Sequence, residues 1–166
     1  MGEVRIVPVK SRLRQLLYAP GGVSREEALG AATQNVETLR TEFVAAIPLE
    51  IAALETILHA AGKTRISGDE LDAMLRRAGQ LLTLSGTFGF DLLDRVVKRF
   101  CDLAMGMKEK NIDKTAPVAV HLRAMRLVCP GGAELGEEEA RHMLVSLEHV
   151  HAHLGIKHLD GTPPAV

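Results

Sequence analysis

Tryptophan is absent from this 166-residue chain, tyrosine occurs once and aromatics make up only 3%. An interior without them has to be built from Leu, Val, Ile, Ala and Met, a palette that favours helix-on-helix packing over a β-sandwich. Cysteine is scarce too. Cys101 and Cys129 have neither metal-ligand spacing nor a disulfide framework between them, so reduced structural thiols are expected. Net charge is nearly missing: 20 Lys and Arg stand against 21 Asp and Glu, which argues against a general nucleic-acid or anionic-membrane surface. No run reaches the roughly 18 apolar residues of a membrane span, and the opening MGEVRIVPVKSRLRQLL lacks the apolar core and cleavage site of a secretory leader. A cytoplasmic location without membrane insertion is the expectation. Nucleophile elbow, phosphate loop, dinucleotide fingerprint and paired-carboxylate motif are all lacking, so neither an enzyme nor a cofactor is expected.

What the chain does have is helical periodicity, with 46% hydrophobic residues in a length that suits one domain. Residues 1–23 read as an arm, with four basic residues against the single Glu3 and a closing Ala-Pro-Gly-Gly at 19–22. Ser24 and Glu27 then form a capping box that opens a long helix. Its apolar face runs through Leu29, Ala32, Val36, Leu39, Phe43, Ala46, Ile47, Ile51, Leu54 and Leu58 to Ala61. Pro48 should kink or restart this rod. A rod so long can line a whole bundle or pair with a copy of itself. A loop at 63–70 supplies an N-cap at Ser67 or Asp69, and helices follow over 69–86, 89–106, 115–128 and 137–154. The sequence after 155 reads as a flexible tail, 156–166.

The stretch from Leu71 to Leu103 organises the rest. Leu71, Met74, Leu75, Ala78, Leu81, Leu82 and Phe88 recur on one helix face, while Asp72, Arg76, Gly79, Gln80 and Thr83 fall on the opposite, solvated one. Gly79 and Gly86 lie seven positions apart on this outer stripe, although a glycine inside a helix costs roughly 1 kcal/mol against alanine. Bare backbone there would let another protein approach closely. Gly89 can be explained as the end of the helix; Gly79 cannot.

The run from Arg77 to Phe90 resembles the signature helix of histidine-containing phosphotransfer (HPt) domains, which reads approximately A-H-[ST]-[IVL]-K-G-x-[AS]-G-[TN]-[FL]-G. Ala78, Gly86, Thr87, Phe88 and Gly89 agree with it. Gly79 stands where the phosphorylated histidine belongs, Leu82 where the lysine belongs, and Thr83 where a glycine usually sits. In the family the imidazole accepts a phosphoryl group from an aspartyl phosphate and a cation one turn along offsets the charge. The resemblance therefore implies a module that keeps docking and lacks transfer. In layout, over roughly residues 10–155, the chain is similar to the CheE-type proteins of alphaproteobacterial chemotaxis operons.

Six of the seven histidines lie after residue 120. His142, His149 and His153 share one sector of the last helix, and the 149/153 pair has the i, i+4 spacing that can share a metal. Two ligands are not a site, and no metal is expected. His121 is the one histidine that could replace the missing acceptor. It borders the stripe of Val118, Leu122, Met125 and Val128, where a half-buried structural role is expected.

The combined expectation is an all-α, antiparallel helical bundle: an HPt-like four-helix core spanning 24–155 with an additional basic N-terminal arm. Its function would be that of a non-catalytic adaptor in chemotaxis or other two-component signalling, presenting Arg76, Gly79, Gln80, Thr83 and Gly86 to a receiver domain or histidine kinase. The alternatives are an active phosphotransfer protein using His121, and a homo-oligomeric bundle, with a homodimer through the long first helix.

Overall fold

The computed structural model describes residues 22–62 and 64–157, so nearly all of the expected arm, and most of the tail, lie outside the described residues. Five helices account for the fold: α1 Arg25–Ala61, α2 Gly68–Phe88, α3 Asp91–Glu109, α4 Thr115–Val128 and α5 Glu137–Leu154. Among the described residues there is no strand, only an isolated antiparallel bridge between Arg65 and Lys114. The protein is an all-α bundle. Its helices start and stop where local chemistry dictates. Ser24 Oγ accepts from the Glu27 amide while the Glu27 carboxylate accepts from the Ser24 amide, and Ser67 and Glu70 repeat this box at the head of α2. Those amide bonds hold both glutamates below the usual carboxylate range. Gly89 closes α2 in the left-handed conformation at φ 75°, where a side chain would be strained.

The chain divides into two units, 1–39 and 40–166. In the first, every described residue is exposed, including Leu29, Val36 and Leu39. Along the apolar face expected from Leu29 onward, burial begins only at Phe43. Periodicity identifies a face but not what covers it.

In the second unit the remainder of α1 buries Phe43, Ile47, Ile51 and Leu54, each fully enclosed Ile or Leu contributing about 1.5–3 kcal/mol. The helix runs through Pro48 in one span rather than restarting there. Glu50 pairs with Arg77 of α2 at 2.8 Å and Glu55 with Arg126 of α4 at 2.5 Å. Contrary to the expectation of no membrane span, one 18-residue window of α1 is apolar enough to cross a membrane by length and composition alone. Some 22% of that window is buried.

The central element is α3, packed against α2, α4 and α5. Its second half is buried almost all round, at Phe100–Ala104, Gly106 and Met107, so it is more than the one-sided amphipathic helix its charges suggest. Burial raises the Cys101 thiol to about 11, with Asp102 adding to the effect, which keeps it an inert thiol. Arg99 of α3 forms a half-buried ion pair with Glu148 of α5. At one end of the bundle the Ile66 amide donates to Asp113 O at 2.7 Å, tying the α1–α2 connection to the α3–α4 turn. At the end of α5, Ile156 is buried against Gly106 instead of belonging to a loose tail.

Candidate functional site

The outer face of α2 carries the residues that sequence singled out. Arg76, Gln80, Thr83 and Gly86 are exposed and Gly79 is half-buried, all within a continuous helix. The i, i+3, i+4, i+7 spacing brings Arg76, Gly79, Gln80 and Thr83 together as the floor of a shallow depression of about 610 Å³, with Leu84 as its fifth wall. A methyl group added at Gly79 would meet nothing within 4 Å. Among the described residues no neighbour requires the bare backbone there. Thr83 Oγ1 donates to the Gly79 carbonyl at 3.0 Å and Thr87 Oγ1 to the Thr83 carbonyl at 2.8 Å, so both hydroxyls lie back along the helix.

Gly86 differs. It lies outside the depression, and a methyl group there would stand 3.3 Å from Asp94 Oδ1 of α3. The same carboxylate oxygen accepts from the buried Ser85 hydroxyl at 3.2 Å. Gly86 thus gives Asp94 room to reach α2, a use internal to the bundle. Sequence reasoning missed both Leu84 and Asp94. Leu84, 38% exposed, could have been found as an apolar residue out of phase with the buried stripe; Asp94 is brought to Ser85 only by the tertiary fold.

Chemically the depression offers one guanidinium, one carboxamide, exposed backbone and an apolar edge. Its lining holds no His, Cys, Asp, Glu or Lys.

The histidines of α4 and α5 fall into two groups. His142, His149 and His153 are exposed on α5, and among the described residues no group of three or more His, Cys, Asp or Glu could hold a metal ion. His121, expected to be half-buried, is wholly buried. Its Nδ1 lies 2.9 Å from the Pro117 carbonyl and its Nε2 lies 3.1 Å from Nε2 of His151 on α5. A carbonyl only accepts, so Nδ1 carries the hydrogen and the neutral ring's Nε2 accepts from His151. Desolvation lowers His121 to about 4; the Pro117 bond opposes this and the nearby charge of Arg99 adds to it. The buried partner His151 was not singled out from sequence, although its spacing from Leu144 and Leu147 puts it on the core face of α5.

Compared with known proteins, the chain matches no family model and no curated sequence.

Proposed function

We propose that this protein is a non-catalytic binding module that offers the outer face of α2 to a receiver domain or histidine kinase of a two-component or chemotaxis system in the cytoplasm. The observation that carries the reading is Gly79: a helix-interior glycine, facing open space, at the centre of a depression whose other residues are Arg76, Gln80, Thr83 and Leu84. It costs helix stability and, among the described residues, relieves no contact. Its use lies in letting another backbone come close, in the position where the resembling phosphotransfer domains hold their acceptor histidine. Arg76 and Gln80 supply directional polar contacts at the rim and Leu84 an apolar one.

Calorimetric titration with isolated receiver domains and kinase domains tests this. Binding is expected for the natural chain and abolished by Gly79→Arg with helicity unchanged. Binding indifferent to that substitution overturns the surface.

The rival, phosphotransfer through His121, needs an imidazole open to its donor, and this one is enclosed and hydrogen-bonded at both nitrogens. Radiolabel passing from a phosphorylated receiver to this chain, and lost in His121→Ala, would establish the rival instead.

A further inference from the structure

We infer that the chain self-associates through residues 26–40 of α1, two copies lying antiparallel along one apolar seam. The surface is separate from the α2 depression and does not rest on the function proposed for it. Every described residue from Gly22 to Glu42 is exposed, and Leu29, Val36 and Leu39 are 56%, 55% and 55% accessible. A helical stretch of this length is marginal in water unless its apolar face is covered.

The spacing points to what covers it. Leu29, Ala32, Val36 and Leu39 follow one another at intervals of three, four and three, the repeat of a two-helix seam, while Gln34, Glu37 and Thr38 occupy the outside. A second copy supplies the same stripe, as a two-fold interface requires. Run antiparallel about Gln34, the seam sets Leu29 opposite the partner's Leu39 and Ala32 opposite the partner's Val36, small against large in each inner layer. The flanks agree: Glu26 falls beside the partner's Arg40, twice by symmetry. Within its own chain the Arg40 guanidinium lies over the Phe90 ring, 5.8 Å from its centre. In a parallel pair Ala32 would face its own copy, leaving that layer underfilled, and Arg40 would fall beside the partner's Asn35. Charge and volume both select the antiparallel arrangement.

Sedimentation equilibrium of the full chain across the micromolar range is the test. A mass of twice 18.0 kDa is expected. Val36→Glu, at an exposed position that leaves the bundle intact by circular dichroism, should raise the dissociation constant about 100-fold or more, and Val36→Gln should act in the same direction. Glu26→Arg should weaken the dimer and Glu26→Arg combined with Arg40→Glu should restore it. A mass of 18.0 kDa throughout overturns the proposal. So does a dimer indifferent to Val36→Glu or to Glu26→Arg, or a monomer in which the amides of 29–39 are protected from exchange, since residues 1–21 or another segment of the same chain would then cover the seam.

Discussion

His121 and His151 share one hydrogen across 3.1 Å in the interior, joining α4 to α5. With His121 neutral, His151 donates and His121 accepts. A proton arriving at His121 Nε2 displaces the hydrogen that His151 donates there, since the Nδ1 hydrogen of His121 is committed to Pro117 O, and Arg99 adds a like charge nearby.

Acid should therefore loosen the α4–α5 contact. The folded-state value of His121, about 4, lies below the ordinary 6.5, so the unfolded chain binds the proton more readily. Its contribution is complete above pH 6.5 and is lost as pH falls from there to about 4. The loss amounts to about 3 kcal/mol. Urea unfolding at a series of pH values should show this decline in the natural chain and a shallower one in His121→Gln. Parallel profiles for the two proteins would remove His121 as the cause.

Gly79→Ala should stabilise the fold. The residue is helical, and the added methyl meets no atom within 4 Å, so only the backbone-entropy gain remains, about 0.5–1 kcal/mol. A rise of a few degrees in Tm is the expected reading. A fall would mean that the open space at position 79 is occupied in solution by part of the protein itself.

Gly106→Ala should act in the opposite sense. There the new Cβ would lie 2.5 Å from Ile156 Cγ2 and 2.9 Å from its Cγ1, so α3 and the residue beyond α5 must separate. Overpacking of this kind costs about 1–3 kcal/mol. Ile156→Ala in the same chain should recover part of the loss, giving a coupling in the double-mutant cycle that two independent sites would not show.

The contrast between these two glycines marks how far the sequence could be read. Helix type and order followed from the apolar periodicity and the lack of aromatics, the capping box at Ser24 placed one helix start, and of the two N-caps offered for α2, Ser67 and Asp69, the first is the one used. The outer face of α2 was legible because a glycine in mid-helix has a known local cost. Gly106, by contrast, looks like any helical glycine until the chain returns 50 residues later with Ile156. Ser85 and His151 carry polar groups at core positions, and their satisfaction depends on Asp94 and His121, which only the tertiary fold brings within reach. Leu29 to Leu39 kept perfect periodicity while lying outside any core within their own unit. A repeat states that a face wants covering, and says nothing about which molecule covers it.

Ser24 and Ser67 carry the same box with the same glutamate three residues on, yet their removal should have different consequences. Ser67 heads α2, whose Leu71, Met74, Ala78 and Leu81 are buried, so helix formation there is coupled to the core. Ser67→Ala should lower global stability by about 1 kcal/mol, seen as a shifted urea midpoint with an unchanged slope. Ser24 heads a stretch in which every described residue up to Glu42 is exposed. Fraying of that end exposes no buried core of the second unit, so Ser24→Ala should leave the urea midpoint in place at low protein concentration. Hydrogen exchange of the amides of residues 26–30 should nonetheless quicken about fivefold, the equivalent of 1 kcal/mol in a local opening equilibrium. A shifted midpoint in Ser24→Ala would show that the first turns of α1 unfold together with the bundle, and would tie the two units into one cooperative transition.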